Sequence, residues 1–429
     1  MLNGIIIATI VVTIALGYKT KINTGLFGMI FAYIIGTFAL GLKPAEVIKM
    51  WPVSIFFVIL AISLFYNFAI SNGTLEVLSQ HMMYRTRSFP KMLPLVIFFA
   101  ATIIAALGAG FFAVMAFFGP ITIILCRKTG LSPLIGALAV NYGALCGNNF
   151  MVSPGGVVFI GLMNQVGYEA VSYGYAFQIF LASLVIPIIV LSVLILINKG
   201  KKSSQVIDIP KPQAINGIQK KTLTLIFTMV TIVLIFPLLH TFIPSVKLFA
   251  SLGKSIDVGL VAIIFTVIGL LLNIGSEKDI IKNVPWGTLL MICGVGMLIS
   301  VAIKAGTVKM IASWVTAALP TAIVPVVMAV IGGFMSFFSS TMGVVTPALF
   351  PVVPGITEAS GISAGILFSA IVIGAQATAI SPFSSGGSLM LSCVGDDERE
   401  KMFTDLMFKG APICLVSSIA YAFMINLFF

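Results

Sequence analysis

Two runs of small and polar residues interrupt long apolar segments of the chain, and the two runs are alike. The first is Gly143–Gly156 and the second is Gly374–Gly387, 231 residues further along. Both begin with Gly-Ala and end with a serine, one further residue and Gly-Gly. Because Gly, Pro, Ser and Asn interrupt helices, each run predicts a broken membrane helix with free backbone N–H and C=O groups. Interrupted segments at matching places in two halves are typical of a transporter's binding site.

Broken helices of this kind can bind small ions without ionised side chains. A helix N-terminus presents free N–H groups and about half a positive charge, which suits a carboxylate. Freed carbonyl oxygens suit Na⁺. All 13 acidic residues lie in loops or at the edges of apolar runs, and no Lys or Arg lies in the middle of one. Because proton carriers usually have an intramembrane carboxylate, the sequence favours a neutral site for an anion.

The candidate ligands are hydroxyl, amide and glycine positions at the two breaks and at the centres of two long apolar runs. For the substrate they are Asn148, Asn149, Ser153, Ser340, Thr341, Ser384 and Ser385. For a coupling ion they are Gly108, Gly110, Gly155, Ser339, Thr378, Ser381 and Gly386. The alternative interpretation is structural, because polar side chains also hydrogen-bond between membrane helices and small residues allow close packing.

The composition excludes several other classes of protein. The chain is 59% hydrophobic and 9% charged, with a mean hydropathy of +1.15, whereas soluble domains carry about 25% charged residues. The net charge of +11 comes from basic residues in loops, so we expect no nucleic-acid partner. Five scattered cysteines without a CxxC pair and two isolated histidines predict no metal or redox cofactor. The spans contain no catalytic motif, so we expect no enzymatic activity.

The apolar runs predict an all-α polytopic membrane protein made of two repeats. The N-terminal repeat is 1–198, with a hairpin at 92–126 and a broken helix at 133–165. The C-terminal repeat is 222–429, with a hairpin at 320–354 and a broken helix at 361–394. Between them, the lysine-rich stretch 199–221 contains prolines and predicts a flexible linker.

The basic residues predict the orientation. If 92–126 and 320–354 are re-entrant hairpins, each repeat has five full spans and the second repeat is inverted. With the linker in the cytoplasm, 18 of the 24 basic residues then lie inside, as the positive-inside rule requires. This arrangement predicts ten spans in the cell inner (plasma) membrane. If each long run were two full spans, the halves would be parallel and the charge bias weaker.

The pattern resembles the ion transporter superfamily and, within it, permeases of the malonate/dicarboxylate carrier kind, distant relatives of the divalent anion:sodium symporters. The similarity covers nearly the whole chain and is carried by the two breaks and by the second hairpin, Ser339–Pro351. It implies a homodimer in which a hairpin and a broken midplane helix move as an elevator. The symporters carry Ser-Asn-Thr at both hairpin tips, whereas this chain has Ser-Ser-Thr at the second tip and Gly-Ala-Gly at the first. The second tip therefore offers more side-chain oxygen ligands for Na⁺ than the first.

The expected function is secondary active transport of a small organic anion, namely a dicarboxylate such as malonate or a C4-dicarboxylate. Na⁺ is the expected coupling ion, and no other cofactor is expected. A cation/proton antiporter of the same superfamily is the alternative, and the lack of intramembrane acids counts against it.

Overall fold

The computed structural model describes residues 2–86, 92–197, 211–242 and 256–428. Throughout these ranges all regular secondary structure is helical. In a bilayer every backbone polar group must be hydrogen-bonded internally, and a helix satisfies this requirement within a single segment. The prediction of an all-α polytopic membrane protein is confirmed.

The helices are numbered in chain order. The first ten are α1 Leu2–Thr20, α2 Thr24–Tyr33, α3 Pro44–Ile48, α4 Val53–Ser71, α5 Thr74–Thr86, α6 Leu93–Ile104, α7 Gly110–Thr129, α8 Pro133–Asn148, α9 Pro154–Gln165 and α10 Ser172–Ile197. The others are α11 Gly217–Phe242, α12 Val258–Leu271, α13 Glu277–Lys282, α14 Trp286–Lys304, α15 Thr307–Ala318, α16 Val324–Phe337, α17 Thr341–Ser360, α18 Ala364–Ala377, α19 Ser385–Ser392, α20 Asp396–Asp405 and α21 Ala411–Phe428.

The described residues contain eight helical segments long and apolar enough to cross a membrane. A ninth is obtained if α15 and the segment Thr321–Phe337, which meet at a bend of 117°, count as one span. Shorter apolar helices include Val258–Leu271 and Ala364–Ala377. The chain is thus a multi-pass membrane protein, and the number of ten full spans stays a prediction.

Two compact units contain these helices, and each unit combines distant parts of the chain. Unit 1 comprises Met1–Phe56, Phe159–Ile186 and Trp286–Phe429, and unit 2 comprises Phe57–Val158 and Pro187–Pro285. The division into repeats at 1–198 and 222–429 therefore stays a prediction. Of the predicted linker 199–221, the part 199–210 lies outside the described residues, and α11 begins at Gly217.

In unit 2, a glycine turn separates α6 from α7 within the run predicted as the first hairpin. A π-helical turn, Ala105–Ala109, follows α6. Gly108 and Gly110 have φ angles of +95° and +69°, which glycine adopts without the steric cost of a Cβ. The chain therefore leaves the axis of α6 at this point and continues as α7.

The packing of α8 shows that α6 and α7 are antiparallel. On α8, Gly143 lies against the carbonyl of Phe98, and Gly147 lies against the carbonyl of Thr102. Both pairs advance by four residues in the same direction, so α6 and α8 run parallel. A short turn at Gly130 joins α7 to α8, and α7 runs back along α8. The pair α6–α7 is thus a helical hairpin.

Unit 1 has the corresponding arrangement in α16, α17 and α18. Gly374 of α18 lies against the backbone of Ala329 on α16, and the Oγ1 of Thr378 donates to the carbonyl oxygen of Gly333 at 2.7 Å. These pairs also advance by four residues together, so α16 and α18 run parallel. The chain returns along α17 and turns at Gly361, whose φ is +74°.

The contact register of the two hairpins is the same. In unit 2 Phe98 meets Gly143, and in unit 1 Ala329 meets Gly374. Both partners are displaced by 231 residues, which is the offset between the two sequence runs. The similarity noticed in the sequence therefore extends to helix packing. The relative direction of the repeats stays a prediction.

Candidate substrate and ion site

The first break is the turn between α8 and α9 in unit 2. Ser153 closes this turn, because its backbone N–H donates to the carbonyl of Phe150 at 2.8 Å and its Oγ donates to the carbonyl of Gly147 at 2.8 Å. Ser153, Asn148 and Asn149 are buried. Three of the predicted substrate ligands are therefore brought together inside unit 2.

Two glycines allow the start of α9 to approach the end of α8. A Cβ on Gly155 would overlap with Asn148, and a Cβ on Gly156 would overlap with the carbonyl oxygen of Phe150. Any larger residue would push the two helix ends apart. The first N–H groups of α9 have no partner within their own helix, so the break supplies donors suited to an anion.

The first hairpin tip is held by Tyr66 of α4, which the sequence did not single out. Gly108 lies flat against the Tyr66 ring, so that a Cβ would overlap with it. The hydroxyl of Tyr66 donates to the carbonyl of Val152 in the first break at 3.3 Å. Tyr66 therefore connects the tip to the break. The predicted ion ligands Gly108 and Gly110 can offer only backbone groups.

The second hairpin tip, in unit 1, carries hydroxyls. The Oγ of Ser340 accepts from the backbone N–H of Gly343 at 3.1 Å, and the Oγ1 of Thr341 lies 2.9 Å from the Oγ of Ser336. Thr341 is buried, and Ser340 is half-buried. Gly343 lies against the side chain of Met291 on α14. Ser336 was not predicted, although its place three residues before the Ser-Ser-Thr run was a usable signal.

Three predicted ion ligands converge on the last turn of α16 in unit 1. The Oγ of Ser339, the Oγ1 of Thr378 and the Oγ of Ser381 donate to backbone carbonyls at 2.6, 2.7 and 3.4 Å. The acceptors are the carbonyl oxygens of Met335, Gly333 and Phe337, respectively. The C-terminus of a helix carries about half a negative charge, and hydroxyl oxygens keep lone pairs after donating. This cluster suits a hard cation.

The second break, between α18 and α19, repeats the turn of the first. The Oγ of Ser384 donates to the carbonyl of Ala379 at 2.5 Å, and its backbone N–H donates to the carbonyl of Ser381 at 2.9 Å. Ser384 and Gly386 are buried, whereas Ser385 is exposed at the start of α19. A Cβ on Gly387 would overlap with the carbonyl oxygen of Ser381, as in the first break.

An aromatic cluster lies beside the second tip and the second break. Phe338 and Phe383 stack with ring centroids 5.9 Å apart, and Tyr18 of α1 contacts both rings edge-on. The cluster lies next in sequence to Ser339 and Ser384, and its two phenylalanines are each 37% exposed. Tyr18 was not predicted, since an aromatic side chain in an apolar helix gives no distinctive local signal.

The candidate ligands are electrically neutral. Among the side chains that the structure describes, no Asp, Glu, Lys or Arg is buried. Within the same residues no group of three or more His, Cys, Asp or Glu side chains is placed to hold a metal ion. Hydroxyl and carbonyl oxygens at the second tip fit Na⁺, which prefers hard oxygen ligands.

One buried amide has no partner. Asn141 of α8 is fully buried, and neither its Oδ1 nor its Nδ2 has a hydrogen-bond partner among the described residues. Leaving a buried amide unpaired is costly, about 1–3 kcal/mol per group. Because Asn141 is a polar residue in the middle of an apolar run, it can be recognised in the sequence as an unusual position.

Comparison with known proteins identifies the N-terminal third of the chain. Residues 1–148 match the family described as "Dicarboxylate carrier protein MatC N-terminus". The resemblance to dicarboxylate carriers is thus confirmed over these residues. No curated protein matches the chain significantly.

Two solved transporters are similar in fold. The YdaH transporter of Alcanivorax borkumensis is 17% identical, with a TM-score of 0.63, and the match covers 92% of this chain and 88% of that one. MtrF of Neisseria gonorrhoeae, described with a class of antimetabolite efflux pumps, is 12% identical, with a TM-score of 0.56, and the match covers 89% of this chain and 82% of that one. The family match over residues 1–148 and the shared fold support a membrane transporter.

Proposed function

We propose that this protein is a secondary active transporter of a small organic anion, namely a dicarboxylate such as malonate or a C4-dicarboxylate. The observation that carries the proposal is the neutral character of the candidate ligands. Hydroxyls and helix ends lie at each break, amides are added at the first, and no Asp, Glu, Lys or Arg is buried among the described residues. The match of residues 1–148 to a dicarboxylate carrier family supports the substrate class.

The substrate carboxylates would be bound by neutral donors. Asn148, Asn149 and Ser153 are the proposed substrate ligands at the first break, and Ser384 and Ser385 are those at the second. The hydroxyls of Ser153 and Ser384 donate to backbone carbonyls, so each would turn its one proton from that carbonyl to the carboxylate when the substrate binds. The N-terminal N–H groups of α9 and α19 add positive potential. Ser340 and Thr341 extend the second set. A desolvated carboxylate is bound by several such charge-assisted hydrogen bonds, each worth about 1.5–3 kcal/mol.

Na⁺ is the proposed coupling ion. The cluster of Ser339, Thr378 and Ser381 at the C-terminal end of α16 supports this choice, because it combines three hydroxyls with a helix end of negative potential. The first tip offers backbone groups alone. We therefore propose few sodium ions per cycle. Since Na⁺ would neutralise part of the substrate charge, coupling would lower the cost of moving a dianion.

Architecture and setting complete the proposal. The two hairpins are proposed to be re-entrant and the two repeats inverted, in accordance with the recurring contacts and the charge bias. Each hairpin with its broken helix would move as an elevator against a scaffold that forms a homodimer. The location would be the inner (plasma) membrane, with the 199–221 linker in the cytoplasm.

The proposal is tested with purified protein in proteoliposomes. Uptake of labelled malonate, succinate, malate and citrate is measured with protein-free liposomes as the control. We expect saturable uptake of one or more dicarboxylates and exchange with unlabelled substrate inside. Saturable exchange of a cation for protons, without dicarboxylate uptake, would instead identify an antiporter and reject the proposal.

A further inference from the structure

Unit 2 contains a cavity that is separate from the candidate ligands of the first break. Its volume is about 830 Å³, and it is lined by the start of α5, by α7 and by the segment that leads into α11. None of the candidate substrate or ion ligands lines it. Its lining is apolar along α7 and also includes lysine, glutamate and glutamine side chains, so it differs in chemistry from the neutral proposed transport site.

The apolar wall is a single stripe on α7. Phe117, Ile121, Ile124 and Lys128 line the cavity, and their spacing of four, three and four residues places them on one face of the helix. The apolar part of the stripe, from Phe117 to Ile124, is about 10 Å long at 1.5 Å per residue, so it accommodates part of an acyl chain. Ile124 is 51% exposed, so an apolar surface is left without a protein partner.

The lining of the cavity includes two lysines and one carboxylate. Lys128 ends the stripe on α7, Lys211 lines the same cavity from the segment before α11, and Glu76 lies on α5. Gln80 and Gln213 add neutral donors and acceptors. Two lysines and one glutamate give these lining residues a net positive charge, which suits a phosphate. The two glutamines can hydrogen-bond to hydroxyl groups attached to that phosphate.

The start of α11, which also lines the cavity through Gln219, is fixed by hydrogen bonds. Gln219 and Asn216 bond reciprocally, since the Oε1 of Gln219 accepts from the N–H of Asn216 at 3.0 Å and the Oδ1 of Asn216 accepts from the N–H of Gln219 at 2.9 Å. Asn72, which follows α4, donates to Thr222 of α11 at 2.8 Å. Lys211 precedes this fixed helix start in the chain.

We propose that this cavity binds one bilayer phospholipid with an anionic headgroup. The acyl chain lies along Phe117, Ile121 and Ile124, and the headgroup phosphate lies between Lys128 and Lys211. Basic pockets between membrane helices bind anionic lipid headgroups in this manner, and lysines at the end of an apolar stripe bring their charge to the headgroup level. Glu76 weakens the binding of a doubly charged headgroup and accepts from headgroup hydroxyls.

The test is native mass spectrometry of the purified full-length protein titrated with phosphatidylglycerol or with phosphatidylcholine. We expect phosphatidylglycerol to bind more tightly. Lys128→Gln and Lys211→Gln should each weaken its binding about fivefold, and Glu76→Gln should strengthen it. Lys220→Gln is the matched control, because Lys220 is exposed in the first turn of α11, close in sequence to Lys211, and does not line the cavity.

A steric variant separates the acyl chain from the phosphate. Ile124→Trp should reduce phosphatidylglycerol binding, whereas Phe112→Trp, at an exposed α7 position outside the stripe, should not. Excess inorganic phosphate should leave the bound lipid in place. Equal binding of both lipids, equal effects of Lys128→Gln and Lys220→Gln, or displacement by inorganic phosphate would each overturn the proposal. Transport is not the readout, so the proposed function and the lipid site can fail independently.

Discussion

Removing the hydroxyl of Thr378 tests the proposed Na⁺ site most sharply. Thr378 is 3% exposed, and its Oγ1 donates to the carbonyl of Gly333 at 2.7 Å. Thr378→Val keeps the shape of the side chain and deletes the oxygen. The lost neutral hydrogen bond alone costs about 1 kcal/mol of stability, so we expect the protein to stay folded.

The effect on Na⁺ should be larger than the effect on folding. We take the strength of a hydrogen bond to a charged group, about 1.5–3 kcal/mol, as the order of magnitude for one neutral oxygen ligand of Na⁺. If the Thr378 oxygen is a ligand, losing it should raise the Na⁺ concentration for half-maximal uptake about 10- to 150-fold. The apparent KM for the dicarboxylate at saturating Na⁺ should change much less, because Thr378 is not a proposed substrate ligand.

The assay is the initial rate of dicarboxylate uptake into proteoliposomes as a function of external Na⁺. Thr266→Val is the matched control, since Thr266 is also buried and donates to the carbonyl of Ala262 at 2.8 Å, within its own helix α12. Both variants lose one buried hydroxyl. An unchanged Na⁺ dependence in Thr378→Val, or an equal shift in Thr266→Val, would refute the assignment of Na⁺ to the end of α16.

Three further predictions follow from single contacts. Gly108→Ala should lower the free energy of unfolding by about 2–4 kcal/mol, because its Cβ would overlap with the Tyr66 ring at a φ that is already unfavourable for alanine. Gly41→Ala, with a φ of +68° and open space around it, should lower it by about 1 kcal/mol. Equal shifts in the midpoint of thermal unfolding would contradict this account. Tyr66→Phe should lower stability by about 0.5–1.5 kcal/mol through the lost bond to Val152, and a midpoint of thermal unfolding equal to that of the unaltered protein would show that this bond contributes nothing. Asn141→Leu should raise the free energy of unfolding by about 1–3 kcal/mol, because it removes a buried amide that lacks partners; a lower midpoint would mean that the amide is satisfied.

The helical membrane class and the breaks were predictable because their signals are local. Apolar runs of span length require helices in a bilayer. The polar and proline residues of the two runs lie where the structure interrupts its helices, namely Asn149 and Ser153 at the first break and Ser381, Pro382 and Ser384 at the second. The Ser339-Ser340-Thr341 run also stands out from apolar neighbours. The residue types alone identify these positions, without knowledge of what their side chains contact.

The remaining features depend on contacts between distant positions. Tyr66 is one aromatic residue among many in α4, and only the fold brings it against Gly108. The convergence of Thr378 and Ser381 on α16 requires the parallel packing of two helices about 45 residues apart in sequence. The glycines Gly143 and Gly374 indicate close helix packing, but the sequence does not show which residues they pack against. The structure alone shows that the two helix pairs make the same contacts.

Uphill accumulation is the most direct test of the central claim that a neutral site couples anion transport to Na⁺. Proteoliposomes with equal pH on both sides are given an inward Na⁺ gradient and a labelled dicarboxylate at equal concentration inside and outside. The account predicts accumulation of the dicarboxylate above the outside concentration, and its collapse when a sodium ionophore dissipates the gradient. Accumulation that needs a pH gradient and is indifferent to Na⁺ would contradict it.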